Sequence, residues 1–387
     1  MGRLEPVKIL FSSLGTHGHT YPLIPLAIAA RELGHEILYV TDKSFEKPLT
    51  AHGIEHIPGG LSTRAGFASL LPPGMRPQEV PTELIAEVFG SVMPRAFAQD
   101  VAPVLAERRP DLVVHEIGNP GAAMAAQVAG VPALCHGFGR VWAGDNAVSE
   151  VVVDHLRRLG AELGAEVPAG GPLTMVMGNP YIDICPPSVQ LPGALDLADR
   201  IELRPVPFAE PGELPGWVRE HREPLVYLTL GTAFGDAGVL RTAIEGLGAL
   251  DARVLVATGP AVPEGAIGDV PDNVVALPWV PQAELLAHVD LVVHHGGSGT
   301  TLGAFGAGVP QLVVPQGADQ FANAEAVAEH GLGERLLGED VTAEAITARA
   351  RGLLSDEGVR AAAKALAAEV AGMPSPREVA ATLPQYA

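Results

Sequence analysis

The sequence predicts an α/β protein built from two doubly wound, parallel-sheet domains. Three observations carry that prediction. Short apolar runs of strand length alternate with helix-length runs from Val7 onward. The same grammar restarts at Pro224, where Leu225-Val226-Tyr227-Leu228-Thr229-Leu230-Gly231-Thr232 echoes Ile9 to Thr16 as a strand ending in Gly-Thr. Glycine-containing loops follow strands in both halves, and in such sheets ligands collect at the carboxyl ends of strands. At 387 residues the chain holds ample core for two domains.

Taken in order, Val7-Lys8-Ile9-Leu10-Phe11 reads as a buried parallel strand, with Gly15-Thr16-His17-Gly18-His19 as its exit loop. A helix is expected from about Thr20, a good cap, through Pro22 in the first turn to Leu33, with Gly34 as its stop. Glu36 to Val40 reads as a strand, Lys43 to Ala51 as a helix and Ile54 to Ile57 as a third strand. Asp111 to His115 is the next strand and Pro120 to Ala129 its helix. After the restart, strands are expected at Arg253 to Thr258, Val274 to Leu277 and Leu291 to Val293. The turn-rich segment Arg204 to Pro215, with Pro205, Pro207, Pro211 and Gly212, is the linker candidate. Residues 61–95 and 140–172 fit the alternation poorly and include Pro72-Pro73-Gly74, Pro77 and Pro81. They read either as ordinary surface connections or as a loop-built apolar pocket.

The formal charge of −20 disfavours nucleic acid and anionic membrane surfaces as partners, and its dispersed acidic residues mark solubility. Cys135 and Cys185, the only cysteines, lie far apart without metal-ligand spacing, which excludes a disulfide framework and suits reduced thiols. A strand begins almost at once, with no signal-peptide layout, and no apolar run approaches a membrane span. A cytoplasmic protein is expected. His52-Gly53-Ile54-Glu55-His56 spells an inverted zinc-protease motif, but Gly53 and the strand pattern behind it break the helix that chemistry requires.

The most informative stretch is His294-His295-Gly296-Gly297-Ser298-Gly299-Thr300-Thr301. It stands behind the apolar run Leu291 to Val293 and ahead of a small-residue helical run, Leu302 to Gly308. Strand, glycine loop and helix N-terminus together make a phosphate site, because unpaired N–H groups and the helix dipole favour an anion. The loop lacks a Walker lysine, which argues against a P-loop ATPase. Gly297-x-Gly299-x-x-x-Gly303 misses the dinucleotide fingerprint by one residue, which keeps an NAD(P)-dependent oxidoreductase as the alternative and a sugar-nucleotide epimerase behind it. Asp-x-Asp is absent, so a departing diphosphate would be neutralised by helix N-termini, hydroxyls and histidine, with no metal and no cofactor. In the first half, His17 and His19 sit at the N-terminal edge of a helix, whose positive end disfavours a protonated ring. Glu116, just past the strand end at His115, can orient such an imidazole as a histidine–acid dyad.

Trp279-Val280-Pro281-Gln282, His295 to Thr301, Gly308-Val309-Pro310, Pro315 and Asp319-Gln320-Phe321-Ala322-Asn323-Ala324 together resemble the donor signature of inverting GT-B glycosyltransferases. The resemblance is to the actinobacterial natural-product enzymes of the UDP-glycosyltransferase superfamily, which decorate antibiotics such as macrolides, enediynes and aromatic polyketides. Gly18-His19-x-x-Pro22 matches the same superfamily. The resemblance implies an acceptor-binding Rossmann-like domain over 1–208, a donor-binding one over 220–372 facing it across a cleft, and a C-terminal helix over 373–387 returning to the first. It makes His19 the base that deprotonates the acceptor hydroxyl and Glu116 the dyad acid, where family members carry aspartate. Trp279 and the Val280 backbone would receive the nucleobase, and Gln282 the deoxyribose. His295, Gly297, Ser298, Gly299 and Thr300 would hold the diphosphate, with Thr232 approaching from the first loop of the second domain. Asp319 and Gln320 would bind sugar hydroxyls. Relatives that use UDP-sugars carry a ribose-binding glutamate where this chain has Gly303, so a dTDP-activated deoxysugar is expected. The implied reaction is metal-independent, inverting transfer of that sugar to a hydroxyl of an apolar aglycone. Homodimer formation and a need for an activator protein are left open.

Overall fold

The computed structural model describes residues 5–71, 80–141, 147–168, 173–210, 212–232, 236–263 and 265–387. Pro72-Pro73-Gly74, Pro77 and Pro211 lie outside these residues. The chain divides into two units, Met1–Arg204 with Pro374–Ala387, and Pro205–Met373.

The first unit is built on seven parallel strands, β1 (Lys8–Ser12), β2 (Glu36–Thr41), β3 (Glu55–Pro58), β4 (Leu112–Glu116), β5 (Ala133–His136), β6 (Tyr181–Asp183) and β7 (Arg200–Glu202). Their order is β3-β2-β1-β4-β5-β6-β7. Ile9, Leu10 and Phe11 of β1 are fully buried, as a strand covered on both faces requires. The strand order reverses between β1 and β4, whose register pairs Leu10 with Val113 and Ser12 with His115. That reversal is the topological switch point where doubly wound sheets hold ligands.

The second unit repeats the plan with β8 (Leu225–Thr229), β9 (Arg253–Ala257), β10 (Val274–Leu277), β11 (Leu291–His294), β12 (Gln311–Val313) and β13 (Gly333–Arg335). The order β10-β9-β8-β11-β12-β13 places its switch point between β8 and β11. Strand alternation divides β8 between two cores: Val226 and Leu228 pack with Leu240, Ile244 and Ile346, while Leu225 and Tyr227 pack with Leu285, Leu286 and Ala304.

Three expectations change. The first helix begins at His17 with Thr16 as its N-cap, rather than at Thr20. The Thr20 hydroxyl instead turns back to donate to the Leu14 carbonyl at 2.8 Å. The linker candidate Arg204 to Pro215 belongs to the second unit from Pro205 on, and its Leu214 packs against the core around Leu225 and Tyr227. Residues 61–95 and 140–172 are mainly helical where described, with helices at Thr63–Leu70, Thr82–Glu87, Met93–Arg108 and Ala147–Leu163. Residues 142–146 and 169–172 of those stretches lie outside the described set.

The short helix Pro376–Ala380 packs on Ile24–Glu32 of the first unit. It opens with a capping box in which Ser375 and Glu378 exchange hydrogen bonds. Among the described residues no helix is long and apolar enough to cross a membrane.

Candidate active site

In the first unit, β1 and β4 are neighbouring parallel strands that end at the same rim. The helix His17–Thr20 rises from the loop behind β1 and brings His19 Nδ1 within 3.0 Å of Glu116 Oε1. Glu116 is the last residue of β4 rather than just past it, held in register opposite His136 of β5. Its side chain is fully buried, and Oε1 also accepts the Gly118 N–H. An N–H on Nδ1 facing this carboxylate would leave Nε2 with a lone pair, the form a general base needs.

Buried polar groups surround the pair. His115 and His136 flank Glu116, and burial lowers both to about 4, which keeps them neutral near pH 7. Burial likewise pushes the Tyr39 phenol up. The Tyr39 hydroxyl bonds Ser13 Oγ at 3.0 Å, and Ser13 bonds Thr20 Oγ1 at 3.0 Å, so the loop beneath His19 is pinned by three hydroxyls. Asn119 caps the helix Pro120–Ala129 and donates to Ser12 Oγ at 2.9 Å, joining the ends of β1 and β4. The Phe138 ring lies 4.5 Å from the His19 ring. His17 instead packs edge-on against Tyr21 and Phe45, at 4.9 and 5.3 Å.

In the second unit, β11 ends at His294 and the helix Ser298–Ala307 begins four residues later. Its N-cap is Gly297, which offers no side-chain cap to the first-turn N–H groups. An uncapped, glycine-led helix start suits an anion. Gly231, behind β8, has φ +78°, and a Cβ there would fall 2.5 Å from the His295 ring, so only glycine admits this approach. Burial lowers His295 to about 4, against a smaller upward pull from a hydrogen bond with the Thr229 backbone. His294 is lowered to about 3 and is bonded to Gln311 Oε1 at 2.9 Å, so it serves the core of the loop. Thr232 follows Gly231 on the same rim.

The remaining donor-side residues form a connected set. Trp279 is 43 % exposed, whereas the Val280 side chain is buried in the core and leaves only its backbone for contact. Gln282 Oε1 accepts from Thr300 Oγ1 at 3.1 Å and from Tyr227 at 3.3 Å. Ser298 Oγ donates to Asp319 Oδ2 at 2.7 Å. Gln320 Oε1 accepts the Gln316 and Gly317 N–H groups at 2.8 and 3.1 Å, which shapes the turn ahead of the helix Gln320–Glu329. Gly299 is exposed at the helix start. A Cβ on Gly303 would meet Leu286 Cδ1 at 2.8 Å, so this face is filled by leucine.

Asn323 and Tyr227 were named only within longer runs and Asn119 and Phe138 not at all, because their roles depend on partners distant in the chain. The Asn119-Pro120 pair ahead of a helical run was the available signal for Asn119. Among the described residues no group of three His, Cys, Asp or Glu side chains is placed to hold a metal ion. In the zinc-like motif, Glu55 pairs with Arg108 and His56 bonds the Thr41 carbonyl. Both cysteines are buried, and neither is in a disulfide.

Residues 241–385 match the family described as Erythromycin biosynthesis protein CIII-like, C-terminal domain. The chain is 31 % identical over 386 residues to L-demethylnoviosyl transferase of Streptomyces niveus, covering 97 % of each. It is 31 % identical over 414 residues to the elloramycin glycosyltransferase ElmGT of Streptomyces olivaceus, again covering 97 % of each. Among solved structures it is similar to the Streptomyces glycosyltransferase SsfS6 complexed with thymidine diphosphate, with TM-score 0.78, 26 % identity and coverage of 98 % of this chain and 99 % of that one. The glycosyltransferase VinC in complex with dTDP gives TM-score 0.77 and 27 % identity, with coverage of 98 % and 99 %. These likenesses displace the oxidoreductase and epimerase alternatives. With two doubly wound domains and donor-loop residues in the order read from the sequence, the chain belongs to the actinobacterial natural-product glycosyltransferases, enzymes of antibiotic biosynthesis with the GT-B fold.

Proposed function

We infer that this glycosyltransferase moves a deoxysugar from a dTDP-sugar to a hydroxyl of an apolar, polyketide-like acceptor, inverting the anomeric carbon without a metal ion. The observation that carries the chemistry is the His19–Glu116 contact of 3.0 Å at the switch point of the first unit. His19 Nε2 takes the acceptor proton, and the buried Glu116 carboxylate stabilises the imidazolium that forms. The freed oxygen attacks the anomeric carbon opposite the nucleotide, which inverts its configuration. The diphosphate leaves toward the uncapped start of the helix Ser298–Ala307, where fixed N–H dipoles and the neutral His295 ring meet its charge. Trp279 offers an exposed ring to the base, and Asp319 and Gln320, at the start of the helix Gln320–Glu329, would meet the sugar hydroxyls.

Two features support a dTDP donor. Leu286 fills the space where a ribose-binding glutamate at Gly303 would stand. SsfS6 and VinC, similar over nearly their whole length, carry thymidine diphosphate in their solved complexes. The test is calorimetric titration with dTDP and UDP, followed by transfer assays with dTDP-deoxysugars and aromatic or macrolide aglycones in excess chelator. Tighter binding of dTDP, chelator-resistant product and an inverted anomeric signal by NMR are expected. A preference for UDP would overturn the donor assignment, and loss of activity in chelator the metal-independent step.

A further inference from the structure

Ser298, Asp319 and Asn323 form a closed set in the second unit. Ser298 Oγ donates to Asp319 Oδ2 at 2.7 Å. Asn323 Nδ2 reaches the Gly296 carbonyl at 2.8 Å, Ser298 Oγ at 3.1 Å and Asp319 Oδ2 at 3.2 Å. Ser298 and Asn323 are buried, at 5 % and 4 % exposure. A serine hydroxyl has one proton to give. While Asp319 holds that proton, Ser298 cannot donate it to a phosphate oxygen at the helix start it occupies.

We propose that this hydroxyl is a two-position donor that couples the diphosphate site to the sugar site, resting on the donor reading above. When a nucleoside diphosphate arrives alone, Ser298 must leave Asp319, and the carboxylate loses its hydrogen-bond donor apart from Asn323. When the intact donor arrives, a sugar hydroxyl replaces Ser298 at Asp319, and both acceptors are satisfied. Asn323 is the positioning residue of the exchange. It keeps Asp319 and the Gly296–Ser298 turn in register whichever way the hydroxyl points. The enzyme therefore binds its spent nucleotide less tightly than its substrate, through residues that never touch the base.

The test is a double-mutant cycle on dTDP affinity, measured by calorimetry with wild type, Ser298→Ala, Asp319→Ala and the double variant. Removing Asp319 frees the hydroxyl, so Asp319→Ala is expected to bind dTDP tighter by about fivefold or more. In the Ser298→Ala background the same substitution is expected to gain about twofold or less. An equal gain in both backgrounds would overturn the proposal, because simple charge repulsion by Asp319 would then account for it. Should Asp319→Ala fail to fold, Asp319→Leu, which keeps the side chain's size without an acceptor, carries the same cycle. Wild-type protein that binds neither dTDP nor UDP would overturn the donor-loop reading itself. Wild-type binding with no interaction in the cycle would overturn the coupling alone.

Discussion

The proposed reaction turns on one imidazole. His19→Ala is expected to lower the transfer rate by about 10²–10⁴-fold, with dTDP affinity unchanged because the donor residues belong to the other unit. Glu116→Gln keeps an acceptor for Nδ1 but removes the charge, so its loss should be the smaller. Initial rates at saturating donor check both, and full turnover by His19→Ala would remove the base assignment. The placement of His19, Glu116 and the glycine loop at strand ends was legible from strand–loop–helix punctuation, while Trp279, Gln282, Asp319 and Gln320 were named through the family resemblance. The groups that hold them were not. Tyr39 reaches Ser13 across 26 positions, and Asn323 reaches Gly296 across 27, separations at which one sequence carries no signal.

At the level of elements, strands with continuous apolar runs were read within a residue or two, and Pro120–Ala129 and Val274–Leu277 were read to their ends. Helices rich in breakers were missed. Met93–Arg108 carries Pro94 in its first turn and Pro103 within, and burial of Phe97, Val101 and Leu105 outweighs that local propensity. The closing helix offers a direct test of local chemistry against tertiary packing. Ser375→Ala removes the hydroxyl half of its capping box and is expected to cost about 1 kcal/mol. Urea unfolding should show the loss in the transition of the first unit, against which Val379 and Ala380 are buried. A loss confined to the second unit would contradict the packing on Ile24–Glu32.

Across the whole molecule, burial lowers His35 of the first unit, and four rings with larger shifts are held neutral: His115 and His136 in the first unit, His294 and His295 in the second. Their folded values lie at about 4, 4, 3 and 4, below the ordinary 6.5. The unfolded chain therefore binds protons first as pH falls. The stability they contribute is fully present above 6.5 and declines from there toward pH 4, by at most about 1.4 kcal/mol per pH unit for each ring. Both units should weaken together, measured as urea midpoints from pH 7 to 4.5, and a flat profile would show that these rings are not held neutral. The path of the chain has its own consequence. Arg204 N–H donates to the Pro374 carbonyl at 2.8 Å, so the strand of chain leaving the first unit is stitched to the one coming back. The second unit is thus a cassette spliced into its host at two adjoining seams. During synthesis the inserted half is complete while the host, begun first, still waits for Val379, Ala380 and Leu383 to close it.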